Sequence, residues 1–214
     1  MIFLDNQYQV LCNGLIQLTF GYYFNHSVDN LPSTLTNLIF GELFNKKVDN
    51  LPANIMHLTF GNSFNQLVDK LPANITHLTF GNSFNQLVDN LPANITHLTF
   101  GNTFNQPVDN LPISITHLRF GKSYNQSLHK IPASVSTLEI YSSYDYFDTI
   151  PRNILTLILR IKSVNDAQRV IKIPSFIKEI YVDYPLSRED FENISSDCKV
   201  YCGKEDYRSW YELC

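Results

Sequence analysis

Four of the six histidines, His57, His77, His97 and His117, are spaced twenty residues apart. Imidazole is a common metal ligand and the side chain whose charge changes near neutral pH, so the spacing raises two chemistries: a metal ladder or a pH-responsive surface. A straight line of like residues gives poor tetrahedral geometry, and no carboxylate is evident at a position to orient the rings. The expectation is therefore a metal-free ladder of exposed rings in which each protonation opposes the next. The same column holds Gln17, Asn37 and Thr137, flanked by Thr59, Thr79 and Thr99. A second column, Asp29, Asp49, Asp69, Asp89 and Asp109, superficially suggests calcium. Calcium sites draw several oxygens from one loop, and each period here offers one, so a turn-capping role is expected instead. Cys198 and Cys202 lack a second ligand pair, and with Cys12 and Cys214 they fit reduced thiols rather than a disulfide framework. No nucleophile, base and orienting group converge, and phosphate loops and zinc-protease helices are absent. A chain without catalytic residues, cofactor or metal is expected.

The elements that position these columns follow from the period. Prolines stand at 32, 52, 72, 92, 112 and 132, and glycines at 21, 41, 61, 81, 101 and 121. Phe20, Phe40, Phe60, Phe80, Phe100 and Phe120 form one aromatic column; Phe24, Phe44, Phe64, Phe84, Phe104 and Tyr124 form another. A fixed period near twenty marks a solenoid whose coils cannot bury their apolar face alone. Ile75-x-x-Leu78-x-Phe80 alternates as a strand buried on one side, which predicts a strand over about 76–80 in each coil and a turn at Gly81. Stacked coils pair these strands in parallel, with Ile75, Leu78, Phe80, Phe84, Val88 and Leu91 inside. The Leu-Pro step disfavours a helix on the return side. Asn25, Asn45, Asn65, Asn85, Asn105 and Asn125 are expected as an inward ladder that satisfies turn backbone and bonds from carboxamide to carboxamide. A square helix of pentapeptides also has twenty-residue coils, but its inward residues recur every five positions, and these do not.

The segments "LPANITHLTF" and "FNQPVDNLP" resemble the FNIP repeat family, a leucine-rich-repeat-like module of amoebal proteins and of the large DNA viruses that infect amoebae. Phe104-Asn105-Gln106-Pro107 nearly spells its signature. The resemblance spans 3–140 in good register and 141–185 in degenerate register. It implies a mainly β repeat solenoid: a leucine-rich-repeat-like stack of 20-residue coils with one parallel sheet. In the leucine-rich-repeat pattern an Asn follows the last strand residue by three positions; here Ser83 stands there and the Asn comes two later. Family members commonly carry an F-box, which implies a substrate-receptor role in a ubiquitin ligase. No F-box-like helical segment stands before the first repeat of this sequence.

The expected organisation is regular repeats over 1–140, degenerate repeats over 141–185 and a C-terminal cap over 186–214. Within the cap, Ser187 followed by Glu189 and Asp190 has helix-starting chemistry. At the other end Phe3 and Leu4 stand near the places of Phe24 and Val28, leaving Leu15, Leu18 and Phe20 close to an open edge. Pairing of that edge with a second copy of the chain is expected.

Charge limits the partners. Residues 1–118 hold 7 acids and 3 bases, residues 119–214 hold 13 of each, and the formal net charge is −4. Without a basic stripe, neither nucleic acid nor an anionic membrane is an expected partner, and no apolar run approaches the roughly 20 residues of a spanning helix. The N-terminal "MIFLDNQYQV" has no secretory pattern, which places the expected location in the cytoplasm and the Asn-x-Ser/Thr sequons out of use. The face from 57 to 99 is nearly uniform, whereas recognition of one protein needs distinct anchors. Variation starts at Arg119 and Lys122 and continues through Tyr141, Tyr144, Tyr146 and Phe147. Those residues are the candidate partner contacts, although the aromatics also suit packing under the cap. The expected function is a protein-interaction scaffold, with a self-associating structural role as its rival.

Overall fold

The computed structural model describes residues 3–4, 14–161, 170–186, 188–203 and 211–212. Each regular coil contributes one three- or four-residue strand, starting three residues before the inward Phe. These are β2 (Gln17–Phe20), β3 (Asn37–Ile39), β4 (His57–Thr59), β5 (His77–Thr79), β6 (His97–Thr99) and β7 (His117–Arg119). They pair in parallel with a strict twenty-residue register, His77 opposite His97 and Thr79 opposite Thr99. β8 (Thr137–Tyr141), β9 (Thr156–Arg160), β11 (Glu179–Val182) and β13 (Lys199–Cys202) extend the sheet. Their steps are 19, 23 and 20 residues, read from the partners Thr137, Thr156, Glu179 and Lys199. The solenoid therefore tolerates uneven coils as long as the strands stay paired. β10 (Ile171–Lys172) and β12 (Phe191–Glu192) form a separate two-stranded sheet.

The core is a set of side-chain columns. Ile75, Leu78, Phe80, Phe84 and Val88 are all within 2% of full burial, and Leu91 is at the edge of it. Within one coil Phe80 and Phe84 stack at 3.8 Å between ring centroids, and each meets its equivalent in the next coil at 5.6 and 6.0 Å. Offset stacking at these distances adds about 1 kcal/mol per pair to the burial of the rings themselves. The return side is irregular, with a turn closed by the Ile75 N–H on the Pro72 carbonyl at 3.3 Å. Proline is tolerated because it opens that turn rather than crossing a ladder.

The glycine column has a different cause from the one its turn position suggested. A Cβ at Gly81 would lie 2.1 Å from the carbonyl oxygen of Gly61, and the same holds along the column. Successive backbones approach too closely there for any side chain. Among the described residues the one glycine with positive φ is Gly14, at 90°.

The ends depart from expectation. β1 (Phe3–Leu4) pairs with β2 opposite Thr19 and Phe20, a first coil of sixteen residues rather than the alignment with Phe24 and Val28. Leu18 is 1% exposed and belongs to the core, and Leu15 packs half-buried against it. At the other end the helix expected after Ser187 is a single 3-10 turn, Arg188–Asp190, leading into β12; Ser187 itself lies outside the described residues. One turn is all that fits before the chain re-enters a paired strand. The last strand, β14 (Tyr211–Glu212), runs antiparallel to β13.

Candidate functional site

The exposed face of the sheet carries the outward residues of β2 to β13, and there the histidine ladder forms as anticipated from the parallel register. Ring centroids of His57, His77, His97 and His117 follow each other at 4.4, 4.3 and 4.2 Å, nearly coplanar in stacking from His77 onward. Each of Thr76, Thr96 and Thr116 lies 2.9 Å from the Nδ1 of the histidine that follows it. The same hydroxyls reach a carbonyl of the preceding coil at 3.2 Å. A hydroxyl has one proton, so where it goes to the carbonyl, Nδ1–H becomes the donor and Nε2 an acceptor. Partial burial holds the His77 and His97 pKa values below the ordinary imidazole range, with the neighbouring imidazoles adding to the effect.

Polar ladders tie coil to coil away from the histidines. The Asn85 Oδ1 accepts the backbone N–H of Asn105 at 2.9 Å, and the link repeats from Asn25 to Asp145. Asn45 to Asn125 are half-buried and Asn25 exposed, and the ladder forms as one that satisfies turn backbone, each Oδ1 taking a backbone N–H of the next coil rather than another Asn side chain. A carboxamide oxygen one coil below is directly in line with the next N–H, whereas two stacked carboxamides must twist to meet. Gln66, Gln86, Gln106 and Gln126 donate to the Asn carboxamide of the preceding coil, at 2.9 to 3.3 Å. Asn74 and Asn94 donate to carbonyls one coil back, Ala53 and Ala73, at 2.9 Å. Sequence reasoning missed these two further columns; their fixed register was visible, but a surface amide at fixed register has no assigned direction until its neighbour is placed. The Asp column pairs across coils rather than capping its own turn: Asp89 accepts from Asn110 at 3.1 Å and Asp109 from Lys130 at 2.7 Å. Asp29, which also accepts from Ser27, titrates below the usual carboxylate range because of its bonds to Ser27 and Asn50.

Beyond His117 the face changes character. Arg119 follows Thr99 in the outward row and Glu139 follows Arg119. Glu139 Oε1 accepts from Arg119 Nε at 3.2 Å and from Arg160 Nε at 2.6 Å, and Arg160 reaches Asp183 at 3.5 Å. The Glu139 and Arg160 side chains are under 10% exposed, while Arg119 is 46% exposed. Lys122 sits with Nζ 6.0 Å from the Tyr141 ring centroid, the outer range of a cation–π contact. Burial pushes the Tyr141 phenol above its ordinary range. Two grooves meet at Arg119. One, of 420 Å³, is lined by His97, His117, Thr137, Glu139 and Ile158; the other, of 460 Å³, by Thr79, Thr99, Lys122 and Tyr141.

Not all candidate contacts join them. Tyr144 is 3% exposed; it continues the aromatic column at 6.2 Å from Tyr124 and donates its hydroxyl to the Gln126 carbonyl at 2.9 Å. Burial raises its pKa to about 12. Phe147 is buried against it, edge-on at 5.4 Å, so these two belong to the core, and Tyr146 remains exposed beside them. Tyr144 occupies the place where the next coil's aromatic column must continue. A concavity of 820 Å³ by this turn includes Ser142, Asp148, Lys172 and Asn193, with Lys172 already paired to Glu192 at 3.5 Å. Cys198 and Cys202 are unbridged, and burial raises both thiols. Cys12 and Cys214 lie outside the described residues. Among the described residues no group of three or more His, Cys, Asp or Glu is arranged to hold a metal ion, and no helix is long and apolar enough to cross a membrane.

Comparison with known proteins agrees with this architecture. A solved structure described as that of CroV588, a novel circular LRR protein, superposes with a TM-score of 0.69 at 30% sequence identity. The match covers 92% of this chain and 35% of the other, so this chain spans about a third of that protein. No match is found among curated protein sequences. The FNIP repeat model matches residues 8–43, 67–102, 87–123 and 104–142, together just over half of the sequence. With its coils, columns and register in agreement, the chain belongs to the FNIP repeat family.

Proposed function

We propose that this chain is a non-catalytic scaffold that binds another protein through the sheet face around Arg119, Lys122 and Tyr141. The observation that carries the reading is the break in a uniform surface: His and Thr columns give way, at one place, to a cation-bearing pair of grooves. Interfaces concentrate their energy in a few aromatic and arginine anchors, which is what this place supplies. A cytoplasmic adaptor in ubiquitin-dependent or virus–host biology is the finer form of the reading, and it rests on family resemblance alone. A photo-crosslinking side chain at Thr99 tests the interaction, with a second at Asn90 on the return side as control. Discrete adducts from position 99, lost on Arg119→Glu, are expected. Equal adducts from both positions would remove the reading.

A second reading, a self-associating structural protein, is favoured by a different observation. Tyr22, Tyr23, Ile39 and Leu43 are 55, 70, 41 and 40% exposed, in columns where residues 59–103 carry Asn, Ser or Thr. This patch, with the half-buried Leu15, is the surface a second copy would cover in this reading. Tyr22→Asn with Tyr23→Ser is expected to shift a concentration-dependent solution mass to the monomer value. A monomeric mass for the parent chain at high micromolar concentration excludes this reading.

A further inference from the structure

We propose that the paired grooves at Arg119 take an acidic, apolar-flanked segment of a partner protein, laid across the strands with a carboxylate on the Arg119 guanidinium. The inference rests on the interaction reading above and names the partner's chemistry.

Charge segregation supports it first. From β2 to β7 the strand residues contain no acid, and the Asp49 to Asp109 column lies on the return turns with its own Asn and Lys partners. Glu42 is the one acid near the glycine turns of those coils, and it accepts the Asn62 N–H at 3.2 Å. A chain of net charge −4 therefore presents a sheet face that is neutral along the histidines and carries a cation, Arg119, where the histidine row stops. Among the described residues the charges linked at Arg119 and Tyr141 are Arg119, Lys122 and Arg160 against Glu139 and Asp183, one positive charge in excess.

The second support is that Arg119 is held by one edge only. Glu139 engages Nε, and the two terminal nitrogens have no partner among the described residues. Glu139 is itself fixed by Arg160, which is fixed by Asp183, so the guanidinium is anchored from behind with its outer edge available. That edge matches a carboxylate, and preorganisation limits what binding must order. Lys122 likewise has Tyr141 as its contact and no carboxylate among the described residues.

Groove composition supplies the third. Ile158 follows Glu139 in the outward row and lines the groove on one side of Arg119, so an apolar side chain next to the carboxylate has one apolar neighbour on that face. From Thr79 to Glu139 the row crosses three strand spacings, about 14 Å, which suits an extended stretch of about four residues. Nucleic acid is a poorer fit, since a phosphate backbone needs a run of cations and among the described residues this face offers Lys122 and the outer edge of Arg119.

The test uses fluorescent synthetic peptides of alternating Glu and Leu, with Gln-for-Glu and Lys-for-Glu versions, titrated with the full chain and read by anisotropy. The Glu peptide should bind, weaken with added salt, and lose about ten-fold in affinity on Arg119→Gln, the size expected for one charge-assisted pair. The Gln peptide should bind weakly to both proteins. Failure of the Glu peptide to bind, or equal affinity for all three peptides, overturns the acidic occupant. Thr99→Trp, which blocks the row without altering charge, separates the two readings. If all three peptides bind alike and all are lost on Thr99→Trp, the face is an interaction surface for other chemistry. If the Glu peptide binds and neither Arg119→Gln nor Thr99→Trp changes its affinity, both readings fall. Matching thermal melts of the variants establish that each is folded.

Discussion

A methyl group on Gly81 would enter the Gly61 carbonyl at 2.1 Å, with the Asn62 Cα 2.7 Å away. Neither neighbour is the end of a flexible side chain, so the coils must separate. Gly81→Ala is expected to cost about 3 kcal/mol, the upper part of the range for overpacking, measured by urea denaturation. An equally local test concerns Asn85, whose Oδ1 satisfies the Asn105 N–H. Asn85→Leu leaves that donor unpaired and should cost about 1–3 kcal/mol. Asn85→Asp keeps an acceptor for both Asn105 and Gln106 and should cost clearly less. Equal losses would show that the column stabilises by shape rather than by its bond. At this scale the sequence was informative about which residues form columns. It was silent on whether glycine answers to conformation or to a close approach, because that depends on a second coil.

Along the strand face, the histidine ladder is the element whose behaviour varies with pH. His77 and His97 have folded pKa values below 6.5 because half-burial and their neighbours disfavour the charged form. The unfolded chain then binds protons first as pH falls, so stability is highest above about 6.5 and declines below it toward the folded values. The melting temperature should fall between pH 7.5 and 5. His77→Asn with His97→Asn should flatten that slope, since Asn37 already fills this column and accepts from Thr36 at 2.7 Å. A melting temperature unchanged across the range in the parent chain refutes the account. The ladder was legible in the sequence because parallel strands at fixed register place equals beside equals. The Arg119, Glu139, Arg160 and Asp183 chain was not, since it crosses coils of 19 and 23 residues whose register no period announces.

For the molecule as a whole, stability is close to a sum over coils and their interfaces. Deleting residues 81–100 removes one period and brings Phe80 onto Gly101 in the register that Gly81 held. That variant should fold with the same far-UV spectrum per residue, a smaller denaturant m-value and a lower melting temperature. Deleting residues 81–90 instead removes the Phe84 and Val88 steps and should prevent a cooperative transition. If both deletions behave alike, independence of the coils is wrong.

The repeat itself determined the solenoid, the parallel sheet, the buried columns and the histidine line, because a periodic apolar pattern has one way to bury itself when its strands pair in register. Tertiary structure alone decided the rest. It placed Tyr144 and Phe147 in the core and brought Arg119, Lys122 and Tyr141 around two adjoining grooves. It also turned the expected cap helix into a paired strand. These are outcomes at positions where the residue types of the repeat change or its length varies, and there burial and pairing are settled by neighbours distant in the chain rather than by the residues' own types.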